Sequence, residues 1–165
     1  MRAGRRAWPE RSLSGAFAKL CVVKRGRIKI SAAAEAEYLA DVALAANFDQ
    51  LLGRAQAADQ EFRQAQATGA PADVQYTRAR DLDEALTDAT RAAYAAQRAE
   101  IGPAGYVDRI YRRKAKATSA VHRWTDEAER LLTLRETHRL TGFPARPQAG
   151  ALGLEIAHVP ASDHA

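Results

Sequence analysis

The chain has 165 residues, which suits one domain with a modest core and is short for two. Apolar residues make up 47% of it, yet only four Phe, five Tyr and two Trp supply large contact area, so the abundant Ala favours helix and implies a shallow core in which helices approach closely. The single cysteine, Cys21, excludes an internal disulfide, and the lack of any run near the roughly 20 apolar residues of a bilayer span argues against an integral membrane protein.

The formal net charge of +5 is unevenly placed. Residues 1–34 carry nine Lys or Arg and one acid, Glu10, a charge of +8, while sixteen basic and nineteen acidic residues leave the remainder at −3. Three readings of this arm stay open. Its Arg-rich, acid-poor character and the amphipathic "RSLSGAFAKLC" fit a mitochondrial-type transit peptide. Arg5, Arg6, Lys24, Arg25 and Arg27 equally fit a disordered basic arm that contacts nucleic-acid phosphates. The third reading is a solvated tail ahead of a later translation start. As a secretory signal the segment is poor, because Lys19 interrupts its apolar run "GAFAKLCVV".

Apolar and basic residues partly alternate in "VVKRGRIKI", as in a strand. Followed by "SAAAEAEYLADV", this stretch resembles the opening strand and helix of the ParE/RelE toxin family, whose fold implies a small sheet. The resemblance covers residues 22–42 and ends there. The toxin fold needs antiparallel strands downstream, where this chain continues with helical patterns, so no residue role is taken from it.

From Ser31 onward the chain predicts three long helices. The first carries Tyr38, Val42, Ala45, Phe48, Leu52, Ala55, Ala58, Phe62 and Ala65 at steps of three and four. Ser31 is its expected N-cap, Glu35 and Glu37 suit its first turn, Gly53 is its expected break, and Gly69 with Pro71 its stop. In the second, for which Asp73 is the expected cap, Ala79, Leu82, Leu86, Ala89, Ala93 and Ala96 form a heptad seam built largely of alanine. After "IGPAG" a third helix is expected from Tyr106 to about Leu140, with Val107, Ile110, Ala117, Val121, Trp124, Ala128 and Leu131 on its seam and Lys114 as the exception. Residues 141–165, with three of the six prolines, read as an irregular tail in which "LGLEIAHV" suits a short strand.

Within the third helix Arg109, Arg112, Arg113, Lys114, Lys116 and Arg123 occur without an intervening acid. Arg109, Arg112, Lys116 and Arg123 fall at i, i+3, i+7 and i+14, an outward stripe that suits phosphate tracking, with Tyr111 available for stacking. The competing reading is a solvated face paired in part with Asp81, Glu84 and Asp88. Those three acids share a helical face, but adjacent Arg78, Arg80 and Arg91 favour ion pairing over a divalent cation. The histidines, His122, His138, His158 and His164, show no zinc spacing, and His122 with Asp126 makes at most a structural i, i+4 pair. GxSxG, GxGxxG and GxxxxGK[ST] are absent.

The expectation is therefore an all-α chain: a basic arm over residues 1–30, a helical domain over 31–140 arranged as an up-down-up bundle or a hairpin with a third helix, and an irregular tail. Functionally it reads as a non-enzymatic assembly or adaptor module without cofactor or metal. Self-association or a protein partner is expected, and nucleic acid is a candidate partner through phosphate contacts. The alternative is a structural subunit of a larger virion-associated or organellar complex. A cytoplasmic location is expected, or the mitochondrial matrix if residues 1–30 are a transit peptide.

Overall fold

The computed structural model describes residues 28–144, so the arm cations Arg5, Arg6, Lys24, Arg25 and Arg27 and the strand expected in the tail lie outside the described residues. Helix takes up 85% of the described residues and no strand is among them; the protein is all-α. In chain order the helices are α1 (Ala32–Ala46), α2 (Phe48–Ala67), α3 (Ala72–Ile101), α4 (Ala104–Val107), α5 (Arg109–Ala115) and α6 (Ser119–Thr141).

Ser31 caps α1 as expected, its Oγ accepting from the Ala34 N–H at 3.2 Å, and Glu35 lies in the first turn. The break in the first predicted helix falls at Asn47 rather than at Gly53. Asn47 turns its Nδ2 back onto the Ala43 carbonyl at 3.1 Å, the local side-chain bond by which Asn competes with helix, and the next residue, Phe48, is driven into the core. Gly53 sits inside α2 in open space and disturbs nothing. The stop at Gly69 is a Schellman turn. Gly69 takes φ 63, the Ala70 N–H donates to the Ala65 carbonyl at 2.9 Å, and the Gly69 N–H donates to Gln66 at 3.2 Å. Pro71, not Asp73, occupies the N-cap of α3, and Asp73 lies in the first turn.

The helix α3 is the spine. Ion pairs Arg98–Asp41, Arg54–Asp88 and Arg78–Glu61 fall at successive levels, so α1 and α2 together run antiparallel to it. Gln97 to Thr125, Asp83 to Arg139 and Ala79 to His138 set α6 antiparallel on its other side. The predicted seam residues Ala79, Leu82, Leu86, Ala89, Ala93 and Ala96 are all buried, and so are Ala85, Ala92, Ala95 and Ala99, which form a second face. Small side chains on both faces let both neighbours come close. Between α2 and α6 themselves, aromatic groups fill the wider gap, Phe48 edge-on to Trp124 at 5.2 Å and Phe62 edge-on to His138 at 5.3 Å.

The third predicted helix is divided into α4, α5 and α6. Asp108 and Thr118 break it by capping the next segment: Asp108 Oδ1 accepts from the N–H groups of Ile110 at 2.7 Å and Tyr111 at 3.0 Å, and Thr118 Oγ1 accepts from Val121 at 3.5 Å. The expected seam therefore holds only from Val121 onward, through Ala128 and Leu131, whereas Val107 and Ile110 are exposed.

Candidate nucleic-acid interface

The segment α4–α5 leaves the bundle through Gly102, whose φ of 86 turns the chain before Pro103. Gly105 then passes so close to Ile101 that a Cβ would stand 2.3 Å from Ile101 Cγ2. Beyond Asp108, α5 has no buried residue and packs chiefly on α4.

Arg109, Arg112 and Arg113 lie on α5 with Lys114, Lys116 follows at its end, and Arg123 lies on α6 beyond the turn; all are exposed. The single stripe expected on one continuous helix is not formed, because the caps at Asp108 and Thr118 separate the two helices. Arg112 and Lys116 instead face a cleft shared with α1 and α3, while Arg109 and Arg113 line a groove with Ile110, Lys114 and Ala117. Ile110 is 67% exposed and Tyr111 lies open beside it.

The acids expected to balance these cations are used elsewhere. Glu84 and Asp88 pair with Arg54 of α2 at 3.5 Å, Asp81 pairs with Arg78, and Asp88 also with Arg91. Arg63, Arg98, Arg130, Arg135 and Arg139 are likewise in salt bridges. Arg109, Arg113, Lys114, Lys116 and Arg123 have no acidic partner among the described residues, and Arg112 donates only to carbonyls, Gly105 at 2.6 Å and Tyr106 at 3.3 Å. Unpaired positive charge is thus concentrated in residues 109–123.

The cleft beside α5 has a volume of about 530 Å³. Asp41 forms its floor: Arg98 donates to it through Nε at 2.7 Å and Nη2 at 2.6 Å, and the Tyr106 hydroxyl donates to its Oδ2. Burial pushes the Asp41 carboxyl up, but the hydrogen bonds from Arg98 and Tyr106 and the guanidinium charge outweigh it and hold the group below its ordinary value. The hydrogen bond to Asp41 raises Arg98, against the opposing effect of burial. Burial, then the bond to Asp41, raises the Tyr106 hydroxyl, which is also packed edge-on to Tyr38. None of this trio stood out in the sequence. Asp41 lies 57 residues from Arg98 and 65 from Tyr106, and no local spacing links them.

Among the described residues no three His, Cys, Asp or Glu converge to hold a metal ion, and no helix is long and apolar enough to cross a membrane. His122 and Asp126 are exposed and not bonded to each other. His138 is buried, its Nε2–H donating to the Ala79 carbonyl at 2.8 Å, a structural use. No protein-family model, curated protein or solved structure matches the chain.

Proposed function

We propose that this protein is a non-enzymatic helical assembly or adaptor module that docks on nucleic acid through phosphate contacts made by residues 109–123. The observation that carries the reading is the contrast between the bundle, where arginine after arginine is matched to an acid, and a projecting α5 whose cations make no ion pair among the described residues. An unpaired, solvated cation cluster attracts a polyanion and gains by releasing its counterions. Few groups among these cations can read base edges, so the contacts fix position and not sequence. The basic arm adds to the same attraction, and a cytoplasmic location, or the mitochondrial matrix if the arm is a transit peptide, is compatible with it.

The test is a binding titration on duplex DNA at several salt concentrations. Changing Arg109, Arg113 and Lys114 together to Ala lowers the log–log salt slope by up to about 3, at about 0.9 per phosphate neutralised, and removing residues 1–30 lowers it further. Absence of binding at low salt, or a slope that neither change alters, eliminates the reading. The second reading, a subunit of a larger complex, draws on the exposed apolar residues Val107, Ile110 and Leu140, which a protein partner would cover. It predicts self-association or capture of a protein partner that survives high salt.

A further inference from the structure

Three cations reach the cleft from two elements: Arg98 from α3, and Arg112 and Lys116 from α5 and its C-cap. Two acids oppose them, Glu37 and Asp41. Asp41 is spent, since both of its oxygens are occupied by Arg98 and Tyr106. Arg112 keeps its full charge, because its partners are carbonyls, and Lys116 has no partner among the described residues. Glu37 is exposed and makes no side-chain hydrogen bond or ion pair among the described residues. Once the Arg98–Asp41 pair is set aside, the unmatched groups are two cations against one exposed acid, with donor N–H groups on the cationic side.

We propose that this cleft seats a phosphate monoester, whose dianion Lys116 and Arg112 hold from α5, with Arg98, whose Nη1 makes no hydrogen bond among the described residues, lining the same cleft from α3. A monoester dianion is favoured over the diester of a nucleic-acid backbone because it brings twice the charge to a site whose donors sit on two separate walls. The Asp41–Arg98–Tyr106 linkage is what keeps those walls at a fixed spacing. Glu37, on α1 at the rim, opposes the anion and lowers its affinity. The site does not rest on the nucleic-acid reading above, whose salt-slope test alters only Arg109, Arg113 and Lys114 on the groove side of α5, whereas the test of this cleft alters Lys116 and Glu37.

The chemistry has two sources, a free phosphate compound and the phosphorylated end of a strand. Calorimetric titration of the full chain with inorganic phosphate and with a nucleoside 5′-monophosphate measures the first. Anisotropy of a labelled oligonucleotide with a 5′-phosphate, compared with the same strand ending in a hydroxyl, measures the second. In either arm Lys116→Ala weakens monoester binding by about tenfold or more, the loss expected for a charge-assisted hydrogen bond. Glu37→Gln tightens it by about two- to fivefold, since it removes one opposing exposed charge. A gain on substitution cannot come from unfolding, so the pair of variants separates recognition from damage. Binding of the free compounds assigns the site to a small ligand, and a preference for the phosphorylated strand end that Lys116→Ala abolishes assigns it to a terminus. The proposal is overturned if neither monoester form binds, or if Glu37→Gln leaves or lowers the affinity of the form that does. Failure here with an intact salt slope on duplex DNA leaves the groove side of α5 as the phosphate-contacting surface.

Discussion

The two ends of the bundle are built from different chemistry. Where α2 ends, α3 begins and α6 ends, four rings meet: Phe62 and Phe143 flank His138, and Tyr76 stands edge-on to Phe143 at 5.9 Å. At the opposite end, where α1, α3 and α4 meet, the link is the polar trio Asp41, Arg98 and Tyr106. Rings fill space and exclude water, and Leu131, Ala79 and Leu82 lie buried in one cluster with Phe62. An ion pair fixes two points and leaves the space around them open, so the second end keeps a cleft and carries the unburied α5. Ring packing marks the first end, while burial along α3 runs on to Ile101 and the cleft marks the second.

The sharpest way to break this comparison is Phe62→Ala. Phe62 is 5% exposed, and its removal opens a cavity beside His138, with an expected cost of about 3–5 kcal/mol in denaturant melts. A loss under about 1 kcal/mol would show that the aromatic end does not hold the bundle. Gly142→Ala is the next test. A Cβ there would stand 2.4 Å from His138 Nδ1 and 2.8 Å from the His138 carbonyl, so either the ring or the helix end must move, and a cost of about 1–3 kcal/mol is expected. A companion change that keeps Gly142 and alters the exposed Leu140 to Gln should leave the melt unchanged within about 0.5 kcal/mol.

The unequal legibility of the two ends has a physical basis. In α3, apolar residues alternate with charged ones densely enough that the seam from Ala79 to Ala96 could be read directly, and every seam residue is buried. The second buried face, Ala85, Ala92, Ala95 and Ala99, was not distinguished, because in so alanine-rich a helix a face and its flank have the same composition. At Asn47, Asp108 and Thr118 the signals were present as residue types that bond their own backbone, but an unbroken three-four pattern passes through each of them. Periodicity records which side chains share a face if the helix continues; it does not record whether the cap wins. The ion-pair use of Asp81, Glu84 and Asp88 was legible from the neighbouring arginines, although the chief partner of two of them, Arg54, comes from another helix. The cleft was not legible at all. Its residues are ordinary charged side chains that only the hairpin between α2 and α3 and the turn at Gly102 bring together.

The smallest effect expected is at the polar end, and its dependence on pH falls at the extremes. Asp41 has its carboxyl held below its ordinary 3.8, so its contribution to stability is complete above about pH 4 and is lost as pH falls through the lower folded-state value. Asp83 behaves in the same way, chiefly through its hydrogen bond from Arg139, so the acid limb belongs to both acids. Tyr106 has the opposite sense. Its hydroxyl is raised above its ordinary 10.0, so its contribution is complete below about pH 10 and is lost as pH rises beyond it, since the unfolded chain releases that proton first. Melting midpoints followed across the pH range should therefore show Tyr106→Phe flattening the alkaline limb while leaving much of the acid limb, because Arg98 still holds Asp41. Asp41→Asn should reduce both limbs, because it removes the acceptor of Tyr106 together with the charge that Arg98 meets. Both variants should leave the midpoint at neutral pH far less changed than Phe62→Ala does. If Tyr106→Phe instead parallels the parent chain above pH 10, the hydroxyl does not lean on Asp41 in solution, and the fixed spacing of the cleft walls would have to come from Gly105 packed on Ile101 and from Arg112 bound to the carbonyls of α4.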